Sequence, residues 1–140
     1  MVLIGNIEIQ QDGLTGDEPD AAQGQMTFPY GGANAFLIWL PAAGLSPADL
    51  LAGTFASLQQ GQPDIDFAAT NEGPISAGGQ EGVFGGFTAS ASGEVVGGGL
   101  IGSWRCVSTD TAYSLTVTGD DSTTVQVRFD ELTSSFECAP

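Results

Sequence analysis

Ile4, Ile7 and Ile9 within IGNIEIQ fall into alternation with polar positions, the period of a half-buried strand, and predict a first strand over residues 4–9. DGLTGDEPD follows with turn residues and charge. Gln25 to Tyr30 predicts a second strand, Gly31-Gly32 a hairpin turn, and Asn34 to Leu40 a third, buried strand that stops at Pro41. Ser46-Pro47-Ala48-Asp49 then opens a helix. Ser46 supplies the cap, Pro47 takes the first helical position without losing a needed donor, and Asp49 faces the positive end of the dipole. Leu51, Phe55 and Leu58 recur on one face, and Gly61 is expected to close the helix in the left-handed conformation. The resulting helix, 47–60, is amphipathic and should lie on a sheet.

Ile65 and Phe67 alternate with Asp64 and Asp66 as a short strand. Ten glycines lie between Gly78 and Gly102, yet Val83, Phe84, Phe87, Val95, Val96, Leu100 and Ile101 supply apolar and β-branched content that flexible linkers lack. This stretch predicts two strands joined near Ser92-Gly93, with glycines marking bulges or the close approach of another element, here expected to be the first helix. Leu100 to Val107 and Tyr113 to Thr118 form a last hairpin around the turn STDT. Val125, Phe129, Leu132 and Phe136 recur at helical spacing and predict a terminal helix near 123–137 capped by Ser122. Together these elements describe a single α+β domain over residues 1–140. It is an antiparallel sheet of about six strands flanked by two main helices in an αβα sandwich, with a mainly-β sandwich as the alternative.

Charge narrows the partners. Seventeen acids stand against Arg105 and Arg128 alone, for a net charge of −15. Nucleic acid and anionic membrane surfaces are excluded, because both require Lys or Arg to meet their phosphates. A protein partner with a cationic face, or a divalent cation, fits the surface instead. Chemistry is narrowed as well. The chain has no histidine and no lysine, so its serines lack an activating base, and no carboxylate pair is set by its spacing into a pocket. The expectation is a protein that is not an enzyme. No signal peptide or membrane-spanning run is apparent, since Met1 to Ile4 is too short and Phe36 to Pro41 is strand-sized.

Cys106 and Cys138 are the only cysteines, and each follows a hydrophobic element. A disulfide between them would tie the terminal helix to the sheet and place the protein in an extracytoplasmic compartment, secreted, periplasmic or envelope-anchored. Two buried free thiols are the alternative. Two thiolates without histidine leave a zinc shell half empty. No cofactor is implied, although calcium is possible at the loop acids Asp17, Glu18 and Asp20, without an EF-hand pattern around them. Asp64 with Asp66, and Asp120 with Asp121, are weaker cation candidates. Trp39, Trp104 and Arg105 are the candidate partner-binding residues, since Trp and Arg are enriched at interface hot spots. The competing readings are core packing for the indoles and ion pairing for Arg105 and Arg128.

The pattern resembles the PsbP-like superfamily, which includes extrinsic photosystem subunits and envelope lipoproteins. The resemblance is carried by Ala48-Asp49-Leu50-Leu51 of the first helix, the glycine-rich strands around Gly82 to Phe87, Trp104-Arg105-Cys106, Tyr113 to Val117, and Phe129 with Leu132, Ser135, Phe136 and Cys138. It implies an antiparallel sheet flanked by helices and a binding or accessory role rather than catalysis. The expected function is a non-catalytic extracytoplasmic accessory or scaffold domain that binds another protein. The alternative is a calcium-dependent acidic envelope or surface-assembly protein.

Overall fold

A computed structural model describes residues 2–4, 7–9, 15–16, 24–77, 79–107, 110–119 and 121–136. Three short strands come first, β1 (Val2–Ile4), β2 (Ile7–Ile9) and β3 (Thr15–Gly16). Two longer strands, β4 (Gly24–Tyr30) and β5 (Ala33–Pro41), lead to helix α1 (Pro47–Gly61). Four strands follow, β6 (Asp66–Ala77), β7 (Gln80–Ala91), β8 (Glu94–Cys106) and β9 (Thr111–Gly119), before helix α2 (Ser122–Ser135). Among the described residues, the main sheet is antiparallel in the order β3-β4-β5-β9-β8-β7-β6. It contains six long strands and the two-residue β3 at one edge. The α+β expectation therefore stands, and the mainly-β alternative gives way to one principal sheet between two helices.

Alternation along β8 shows how the sheet serves both helices. Leu100, Trp104 and Cys106 point into the cluster under α2, where they meet Phe129, Leu132 and Phe136. Ile101 points the other way, into a smaller cluster with Leu51 of α1 and Phe87 of β7. A buried Phe or Leu contributes roughly 1.5–3 kcal/mol, so the α2 face, with many more such residues, carries most of the core. Gly102 is needed for this packing. A Cβ there would lie 2.7 Å from Phe129 Cζ and 3.1 Å from Ile75 Cδ1. At this position the close neighbour is thus the terminal helix rather than the first one; α1 makes its approach over Gly85, where a Cβ would meet Leu51 Cδ2 at 3.5 Å.

Local chemistry accounts for most boundaries. Ser46 caps α1 as expected, its Oγ accepting from Asp49 N at 3.1 Å. Gly61, however, is the last helical residue and not a left-handed terminator. The helix ends at Gln62, whose N–H still reaches Leu58 O at 3.2 Å. α2 is capped by Asp121 and not by Ser122. The Asp121 carboxylate accepts from Thr123 N at 3.1 Å and from Thr124 Oγ1 at 2.8 Å, which a serine one position later is too far into the helix to do. The helix stops at Ser135, two residues before the expected end, because Phe136 turns extended and packs on Trp104 and Tyr113.

Two strands differ from expectation. The single strand over 4–9 is instead two short antiparallel strands, β1 and β2, pairing Ile4 with Ile7 outside the main sheet. The short strand expected at Ile65 and Phe67 begins at Asp66 as the twelve-residue β6, which runs on through polar positions. It does so as an edge strand, where one face is solvated, Pro74 is tolerated, and a bulge between Ala69 and Glu72 interrupts the register.

Candidate partner-binding surface

The two tryptophans are structural. Trp39 is 3% exposed and Trp104 is 0% exposed, so neither indole reaches a partner. This corrects their assignment as interface anchors. Trp104 stacks on Tyr113 with ring centroids 6.0 Å apart and meets Phe136 edge-on at 4.9 Å. The three rings lock the end of α2 against β8 and β9, and burial pushes the Tyr113 phenol above its ordinary value. Trp104 Nε1 and Ser103 Oγ are buried without a hydrogen-bond partner among the described residues.

Arg105 is exposed, but it is engaged. Its Nη2 lies 2.7 Å from Asp110 Oδ1 and its Nε donates to the same oxygen at 3.0 Å. Asp110 sits in the β8–β9 connection at φ +50°, so the pair braces that turn. Arg128 is likewise paired with Glu131 at 2.6 Å and also donates to Gly31 O at 2.9 Å. The ion-pair reading of both arginines is the one the geometry matches.

Among the described residues, no group of three or more Cys, Asp or Glu is placed to hold a metal ion. Asp17, Glu18 and Asp20 lie outside the described residues, as does Asp120. Asp121 is occupied as the cap of α2. The hydrogen bond from Thr124, followed by that from Thr123 N, holds its carboxyl below the ordinary range. Cys106 is fully buried at the end of β8, and Cys138 lies outside the described residues.

One apolar groove lies where the sequence pattern singles out no binding residue. Between α1 and the β6–β7 edge of the sheet runs a groove of about 570 Å³. Leu51 and Phe55 of α1 form one wall, Val83 and Ile101 line the sheet side, and Gly85 forms part of the floor. Among the described residues, Glu72, beside the β6 bulge, is the single charged residue along it. The readable signal was Gly85-Gly86 set between Phe84 and Phe87, since paired glycines flanked by aromatics lower a sheet surface locally.

No protein-family model and no curated protein matches the chain. The fold itself is PsbP-like. The chain is similar to the solution structure of cyanobacterial PsbP (CyanoP) from Synechocystis sp. PCC 6803, with a TM-score of 0.64 and 14% sequence identity, over 91% of this chain and 83% of that one. Among the described residues, no helix is long and apolar enough to cross a membrane.

Proposed function

We propose that the protein is a non-catalytic, extracytoplasmic accessory domain that binds another protein with a cationic face. The observation that carries this reading is the PsbP-like fold over 91% of the chain, since that resemblance implies binding and accessory roles. Composition supports it: a chain with no histidine or lysine and a net charge of −15 has little equipment for acid–base chemistry and a strong preference for positive partners.

The compartment rests on the proposed Cys106–Cys138 disulfide. Trp104 and Phe136 are in ring contact at 4.9 Å, and each cysteine follows its aromatic by two positions. Such a bond belongs to oxidising compartments.

Affinity capture from an envelope extract of the source organism, with the protein held through a C-terminal tag because it lacks lysine, tests the reading. One stoichiometric partner is the expected result. Recovery of none, with calcium present as well as absent, would overturn it. The calcium-dependent alternative at Asp17, Glu18 and Asp20 makes a separate forecast. It requires a rise in melting temperature specific to calcium at matched ionic strength, whereas an equal response to sodium is charge screening.

A further inference from the structure

The α1 face of the sheet is unevenly filled. Leu51, Phe87 and Ile101 are its buried cluster, with Phe55, Leu58, Phe67 and Val83 only partly covered. The sheet floor drops at Gly85, where a Cβ would touch both Leu51 Cδ2 at 3.5 Å and Glu72 Cγ at 3.6 Å. The Leu51 wall and the aliphatic stem of Glu72 therefore meet above one glycine, and Glu72 itself is exposed. A groove of about 570 Å³ falls within the range that holds a ligand or several partner side chains.

Charge decides what fits it. Among the described residues Glu72 is the one charged residue along the groove, and both arginines of the chain are already committed, to Asp110 and Glu131. No cation from within the chain is left to meet Glu72 among the described residues. A second copy brings another net charge of −15 and the same two committed arginines, so it is repelled. An anionic lipid or a nucleic acid is repelled for the same reason.

We propose that this groove docks a segment of a cationic partner protein, seating one or two bulky apolar side chains between α1 and β6 while a flanking Lys or Arg pairs with Glu72. The proposal rests on the partner-binding function above and locates it. The energetic design is that of an interface hot spot: the buried apolar anchor supplies affinity, and the charge at the rim sets orientation and specificity.

Isotope-labelled full-length protein titrated with two synthetic peptides provides the test. Both have equal length and charge; one alternates Arg with Leu and the other Arg with Ser, in roughly physiological salt so that long-range attraction is screened. The Arg-Leu peptide should bind about tenfold more tightly or better, with chemical-shift changes centred on Ala52, Val83 and Gly85. Ala52→Trp, at an exposed position on the groove wall, should abolish that preference, and Glu72→Gln should weaken it severalfold. Equal binding of both peptides, no binding, or an unaffected Ala52→Trp variant would overturn the groove. Capture of the same partner by wild type and Ala52→Trp would also overturn it while leaving the accessory function standing; failure of the wild type to capture any partner removes the function itself.

Discussion

Arg128 Nε donates a 2.9 Å hydrogen bond to the carbonyl oxygen of Gly31, fastening α2 to the β4–β5 turn across 97 positions of sequence. The guanidinium also meets Glu131, whose second carboxylate oxygen accepts from Tyr30 Oη at 3.2 Å. Gly31 is at φ +56°, and any Cβ there would run into the Arg128 side chain. One arginine thus organises a turn, a helix and a tyrosine.

Arg128→Ala is expected to cost about 1–2 kcal/mol, the sum of a charge-assisted hydrogen bond and a partly exposed ion pair. Gly31→Ala should cost about 1–2 kcal/mol for the left-handed backbone alone, plus the collision with Arg128. The double variant should lose less than the two single losses combined, because the collision disappears with the arginine. Urea denaturation of the four proteins reads this directly, and strict additivity would contradict it. Tyr30 adds an alkaline signature. Burial first, then the hydrogen bond and charge of Glu131, hold its phenol above the ordinary value. Its contribution is therefore complete below the ordinary phenol range and is lost as pH rises through the raised folded value.

Gly102→Ala should destabilise the fold by about 1–3 kcal/mol through overpacking, although alanine is ordinarily the better strand residue. Its Cβ would press on the Phe129 ring. Phe129→Leu introduced alongside should recover part of the loss, because the smaller side chain vacates that contact. Thermal melts of the single and double variants are sufficient, and an unchanged Gly102→Ala melt would show that α2 can shift away freely.

Thr54 and Ser114 join α1 to β9 through a 2.7 Å contact between their buried hydroxyls. Thr54 already donates to Leu50 O at 2.8 Å, so Ser114 is the donor in the pair. Thr54→Val leaves that donor buried and unmatched, an expected loss of about 1–3 kcal/mol. Ser114→Ala added to it should restore most of the stability. A double variant that is worse than Thr54→Val would mean that Ser114 has another acceptor.

Asp121 makes the cap of α2 dependent on pH. Its folded carboxyl is held below the ordinary range by the Thr124 and Thr123 hydrogen bonds. The stability it supplies is therefore present above the unfolded value and is lost as pH falls through the folded one. Asp121→Asn should retain much of the cap yet flatten this acid-side dependence, whereas Asp121→Ala should lower the melting temperature at neutral pH as well. Melting temperatures across the acid range distinguish the three proteins.

The proposed disulfide predicts that denatured protein takes up no alkylating reagent until it is reduced and then modifies both cysteines. Reduction should cost roughly 3–4 kcal/mol by the loop-closure estimate. Alkylation of unreduced protein at Cys106 would refute the bond.

Much of the architecture is legible in local pattern. Ser46-Pro47 announces α1 because capping is chemistry between near neighbours. Val125, Phe129 and Leu132 announce the buried face of α2 because helical spacing puts them on one side, and all three are buried. Ser92-Gly93 marks the β7–β8 turn because positive φ there, +54° and +82°, requires such residues. The length of β6 was hidden, since an edge strand with a solvated face and Pro74 shows little apolar alternation.

What the sequence determined by itself was the α+β class, the helix positions, the acidity and the lack of ordinary catalytic equipment, because these depend on residue type and on spacings within a turn or a strand. Tertiary structure decided the rest. It turned Trp39 and Trp104 inward, paired Arg105 with Asp110 and Arg128 with Glu131, and brought Leu51 and Glu72 together above Gly85. The physical reason is that exposure, pairing and grooves are set by which surfaces pack across the sheet, and packing partners distant in sequence leave no local periodicity to read.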